Sequence, residues 1–214
     1  MTNEDKQWLN KVYKGIMDPF LDSDIEGIEL DNRTTPSLID KIDHPDMELI
    51  DKSIMRFYSC YNWWKFHWVT TDHFDFKAEG TFEFTEFKYL LVNQDEDNGA
   101  NDWAPDMKGF RSLDNFYDCN GFVGFFLNRP DKKGLYLIHS DSSMSALNVD
   151  FEGYLKLLAM SKCFGWWQNA LVQISTGQHQ PNVDSFKEKM PLLFNDFNWD
   201  EFVETYNSLR IDKQ

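Results

Sequence analysis

Four side chains able to bind a metal lie close together early in the chain: His67, Asp72, His73 and Asp75. Imidazole and carboxylate are ligands for zinc and iron. The spacing argues against a metal centre, because histidines that share an ion usually stand one helical turn apart, as in His-Glu-x-x-His. Here they straddle a strand and a turn, which predicts a strand histidine beside a solvated turn, with no metal and no cofactor. A metal-dependent enzyme using His67, His73 and an acidic side chain is the alternative that this cluster leaves open.

Ile138-His139-Ser140-Asp141 has the residue types of a hydrolase triad. Triad members come together from separate segments, however, and no Gly-x-Ser-x-Gly elbow accompanies them. The run reads as a strand ending in a polar turn. Cys119, beside Asn120-Gly121, has no flanking group to lower its pKa or act as a base, so it reads as structural. Asn120-Gly121-Phe122-Val123-Gly124 lacks the Lys-Ser/Thr of a phosphate loop and reads as a turn entering a strand. No catalytic constellation emerges, and we expect a non-enzyme.

Asn93 to Lys108 is the clearest loop, with Asn-Gly, a proline and five acidic side chains. Asp95, Glu96, Asp97, Asp102 and Asp106 surround Trp103. Three readings are open: a solvated loop, a calcium site, or a recognition patch for a basic protein. The order of ligands in an EF-hand, ending in Glu at its twelfth position, is missing. These six residues are the expected partner-binding site.

The composition agrees with that chemistry. Against 36 acidic residues stand 21 basic ones, a formal charge of −15. Such a field repels phosphate backbones and steers basic partners inward, so direct nucleic-acid binding is not expected. Aromatic residues make up 16 % of the chain, which argues for a packed core and against disorder. Cys60, Cys119 and Cys163 are odd in number and far apart, as in a reducing compartment. With neither a signal peptide nor an apolar span visible, we expect a cytoplasmic protein away from membranes.

The elements that must hold these residues come in order. Asp5 to Met17 predicts a helix, with Asn3 as cap and Asp18-Pro19 as its end. Residues 21–34 are acidic and aperiodic and predict an exposed connection, followed by a helical turn over Ser37–Ile42. Asp46 to Tyr61 predicts a second helix capped by Asp46, with Asn62 as its stop. The period then changes: Lys65–Thr70 and Gly80–Phe84 alternate and predict a hairpin. Glu86–Val92 predicts a short helix or turn. Gly121–Leu127 and Gly134–Ser140 predict a second hairpin, turning at Asn128-Arg129-Pro130-Asp131.

Asn148 to Ile174 predicts one long or kinked helix with a break at Gly165 and a cap at Asn148 or Asp150. Val183–Phe194 and Trp199–Leu209 follow, the latter opened by an Asn198 capping box. The expected fold is α+β: N-terminal helices, an antiparallel meandering sheet of at least four strands, and C-terminal helices packed on it. At 214 residues the chain is most simply one domain.

Three stretches together resemble a known family. They are Phe57-Tyr58-Ser-Cys-Tyr61-Asn62 leading into Phe66-His67-Trp68; Phe110-Arg111-Ser-Leu113-Asp114 with Gly121-Phe122-Val123-Gly124-Phe125; and Phe151-Glu152-Gly153-Tyr154-Leu155 with Phe164-Gly165-Trp166-Trp167-Gln168. The chain resembles a long, Bacteroidetes-type branch of the SUKH superfamily, the Smi/Knr-like domain, over about residues 45–172. The family's Asn-Gly turn is Asn62-Trp63 here, and residues 178–214 form a helical extension. The resemblance implies a non-enzymatic α+β domain. Many bacterial members are immunity proteins that neutralise a cognate toxin, often a nuclease or deaminase; eukaryotic relatives imply a regulatory or scaffold role instead.

Overall fold

In the computed structural model, which describes residues 3–20, 25–33, 39, 42–71, 74–92, 107–116, 121–139 and 141–213, every strand pairs with the one before it in sequence. The strands are β1 (Ile25–Arg33), β2 (Trp63–Thr70), β3 (Glu79–Phe84), β4 (Phe110–Phe116), β5 (Gly121–Phe126), β6 (Tyr136–Ile138) and β7 (Met144–Ala146). All pairings are antiparallel, so among the described residues the sheet is a seven-stranded meander with β1 and β7 at its edges. The helices are α1 (Asn3–Met17), α2 (Lys52–Tyr58), α3 (Phe87–Leu91), α4 (Phe151–Met160), α5 (Gln168–Thr176), α6 (Val183–Leu193) and α7 (Trp199–Leu209). This is the α+β arrangement that the order of elements implies.

Alternation along β2 explains the layering. Trp64, Phe66 and Trp68 are wholly buried, while Trp63, Lys65 and His67 between them are half-buried. Successive side chains of a strand point to opposite faces, and the aromatic set faces the helices. The ring of Phe151 in α4 stands edge-on to Phe57 of α2 and to Phe84 of β3. One core of buried apolar side chains runs from Leu9 and Ile16 in α1 to Phe202 and Tyr206 in α7. On the opposite face of the sheet a smaller cluster forms around Phe110, Phe126, Tyr136 and Ile138.

Several elements differ from expectation. Residues 25–33 form edge strand β1, not a connection, with Leu30 opposite Phe66. The predicted helix 46–61 is a 3-10 turn (Pro45–Leu49) followed by α2. Asp51, not Asp46, caps α2 by accepting from the Ser53 N–H, and Asn62 instead accepts from the Phe87 N–H. Strands β4 and β7 were not anticipated. The long helix is two helices: Asp150 caps α4 as expected, but α4 ends at Met160 and α5 begins at Gln168. Between them Lys162, Cys163 and Trp166 all take positive φ, a left-handed conformation that breaks a helix. The turn expected at 37–42 lies largely outside the described residues.

The strained segment is held from the sheet. Trp68 Nε1 donates to the Lys162 carbonyl at 2.7 Å, and the Thr81 N–H donates to that of Cys163 at 2.9 Å. Gly165 N–H reaches the Glu79 carbonyl at 2.8 Å. These bonds replace the helical ones that the turn forgoes.

Candidate functional site

Asp95, Glu96, Asp97, Asp102, Trp103 and Asp106 lie outside the described residues, between Val92 after α3 and Met107 before β4. Their charge belongs to a larger pattern. Residues 18–51 carry eleven acidic side chains against two basic ones, and 93–106 carry five against none. The remaining residues hold twenty acidic and nineteen basic side chains, so nearly all of the −15 resides in those two segments. The first contains edge strand β1 and the 3-10 turn, where Asp43, Glu48 and Asp51 are exposed.

The residues with chemical potential are dispersed. His67 Nε2 lies 3.9 Å from Glu79 Oε2 across the β2–β3 pair; Asp72 and His73 lie outside the described residues. Among the described residues no three His, Cys, Asp or Glu side chains are grouped to hold a metal ion. His139 meets Ser145 of β7 (Nε2 to Oγ, 3.2 Å), and its ring stacks on Trp166 at 6.3 Å and 7°. Asp141 accepts from the Ser143 N–H. Burial lowers the His139 pKa, against the opposing pull of Asp141. Cys163 is buried, and burial pushes its thiol well up, away from the reactive thiolate. Cys119 lies outside the described residues.

A polar network that sequence reasoning did not anticipate lies beneath the helices. The register of β4 shifts between Ser112 and Asp114, and both Leu113 and Asp114 are wholly buried. The bulge turns Asp114 inward where strict alternation would send it out. Its Oδ1 accepts from the Glu83 N–H at 2.9 Å, and its Oδ2 accepts from the Tyr154 hydroxyl at 2.6 Å. Gln168 Nε2 donates to Tyr154 Oη at 3.0 Å. Desolvation raises the Asp114 carboxyl to about 6, against the lowering effect of its two donors.

A cleft of about 1040 Å³ runs along α1 and α4. The two helices run in the same direction: the Arg56 guanidinium stacks on Trp8 and reaches Glu152 at one end, and Gly15 faces Ala159 further along. Val12, Gly15, Leu155, Ala159 and Met160 give the cleft an apolar lining, and Lys11, Lys14 and Lys156 stand exposed on its walls. Neither the cleft nor its lysines was visible in the sequence, because nothing in either helix states that the other is its neighbour. No family model, no curated protein and no solved structure matches the chain.

Proposed function

We propose that the chain is a non-enzymatic, cytoplasmic immunity protein of the SUKH type that neutralises a cognate bacterial toxin by direct binding. The observation that carries this reading is the segregation of charge: two segments hold almost the whole −15. An acidic charge gathered in two segments of the sequence suits a basic nuclease or deaminase domain, since complementary charge accelerates association and disfavours wrong partners. Asp95, Glu96, Asp97, Asp102 and Asp106 supply the charge, and Trp103 is the aromatic anchor. The same field repels nucleic acid, and among the described residues no helix is long and apolar enough to cross a membrane.

The family reading predicts that the resembling stretches share one core. Two of the resembling stretches, far apart in sequence, meet at the buried network: Asp114 from the second bonds Tyr154 of the third, which Gln168 then reaches. Tyr58 of the first donates to the Thr85 carbonyl beside it at 2.6 Å. In this reading the whole chain is one domain, with 45–172 as shared core and 178–214 as an extension.

A regulatory or scaffold domain of the same type is the second reading. The cleft beside α1, whose lysines are opposite in charge to the acidic segments, favours it. Expression of the tagged chain in its native host separates the two. Stoichiometric recovery of a protein with a basic toxin domain, whose toxicity the chain suppresses on co-expression, is the expected result. Recovery of the chain alone while candidate toxins are expressed would overturn it.

A further inference from the structure

We propose that the cleft between α1 and α4 is a docking groove for an amphipathic helix of a partner protein, one that carries acidic side chains beside its apolar stripe. The inference does not depend on the toxin reading, because the surface and its charge are different.

Shape selects a helix. The wall on the α1 side runs from Gln7 to Asp18, just past the end of that helix, about 16 Å at a helical rise, or roughly three turns. Both walls are helices whose backbone groups are bonded internally, so an occupant gains nothing by adding as a strand and must pack through side chains. Gly15, Gly153 and Ala159 lie along the lining. Gly15 and Ala159 face each other and let the two walls approach closely, so that the exposed side chains on either side leave a seam for the ridge of a third helix.

Charge selects an acidic flank. Four acidic side chains also line the cleft; Glu152 pairs with Arg56 and Asp196 pairs with Lys162 at 2.8 Å, while Asp150, whose Oδ1 accepts from the Gly153 N–H, keeps its charge. Among the described residues Lys11, Lys14 and Lys156 have no such partner, and Asp18 stands alone at the far end. Three ammonium groups without an ion-pair partner among the described residues, against the carboxylates of Asp18 and Asp150, leave a small positive excess beside an apolar floor in a chain of charge −15, which favours carboxylates over a basic toxin surface.

The test uses a fluorescein-labelled peptide of about fourteen residues, with Leu at helical spacing and Glu on both flanks, followed by anisotropy against the full chain. We expect saturable binding that weakens with salt. The exposed triple variant K11E/K14E/K156E, checked for native circular dichroism, should bind about tenfold or more weakly, since each rim charge contributes modestly. A peptide with Lys in place of Glu should prefer the triple variant over the wild type. Equal affinity of the Glu peptide for both proteins would overturn the proposal, as would wild-type preference for the Lys peptide. Absence of binding up to about 1 mM, or occupation of the cleft by dodecanoate that the peptide fails to displace, would do the same.

Discussion

The Tyr154 hydroxyl donates to Asp114 Oδ2 across 2.6 Å, tying the first turns of α4 to the bulge in β4. Two donors reach the carboxylate, and among the described residues no cation pairs with it. Two hydrogen bonds lower a carboxyl pKa and complete burial raises it; here burial wins, and the group titrates at about 6. The core of the fold thus contains an acid that holds its proton up to about pH 6, well above the ordinary carboxylate range.

That shift sets a pH dependence. The folded state binds this proton more tightly than the unfolded chain, so the stability from Asp114 is complete below about pH 4 and is lost as pH rises through about 6. The loss amounts to about 3 kcal/mol, at 1.36 kcal/mol per unit. Asp114→Asn is neutral throughout and can keep the network: its oxygen accepts from Glu83 and its amide faces Tyr154. Gln168 Oε1, which has no partner among the described residues, can then turn to accept from the Tyr154 hydroxyl. Urea unfolding of both proteins should show D114N gaining on wild type by about 3 kcal/mol between about pH 4 and pH 7.5. A flat difference would mean that Asp114 does not titrate in this way.

Gly80 should tolerate no side chain. A Cβ there would stand 2.2 Å from Trp68 Nε1 and 2.6 Å from the Cys163 carbonyl, both fixed by the bonds that hold the left-handed turn. Neither neighbour can withdraw without breaking that turn. Gly80→Ala should cost about 3 kcal/mol, measured by thermal or urea unfolding. Gly177→Ala is the comparison: its Cβ meets nothing within 4 Å, and only its φ of 71° opposes the change, at about 1 kcal/mol.

Two helix starts depend on single side chains. Asp150 accepts from the Gly153 N–H at 2.8 Å, and Asn198 accepts from that of Glu201 at 3.0 Å. Alanine at either position leaves the amide unpaired and should cost about 1 kcal/mol, whereas serine should recover most of it. Paired unfolding curves for the Ala and Ser variants separate loss of the cap from loss of the side chain's bulk.

These caps were legible in the sequence because capping is local, and so were the hairpin at 63–84 and helices α6 and α7, whose signals lie within a few residues. The misses have a common cause. In β4, Arg111 and Asp114 are both buried, so the period-two signal fails where a bulge and a buried acid override it. β1 reads as acidic and aperiodic, and it becomes a strand only because β2 offers an edge to pair with. The split between α4 and α5 is imposed by Trp68, Thr81 and Glu79 from distant strands. For the candidate sites, the acidic segments were readable from composition, while the α1–α4 cleft required the packing of residues about 144 apart.

The toxin reading makes a kinetic prediction about its own loop. Asp97 and Asp102 belong to the segment of five acidic side chains and no basic ones. Charges of this kind act before contact, by raising the encounter rate with a basic surface, and contribute less once the complex is formed. Reversing both, as D97K/D102K, should therefore slow association with the basic toxin domain by about tenfold or more at low salt and leave dissociation within a few-fold. The slope of association rate against salt should flatten in parallel. Stopped-flow measurement at two ionic strengths reads both quantities. Slower association with unchanged dissociation places the loop in the steering field; faster dissociation makes it part of the bound interface, with Trp103 as the next residue to truncate. Unchanged rates and salt dependence would take the 93–106 loop out of the binding surface and leave residues 18–51 as the acidic segment that a basic partner meets.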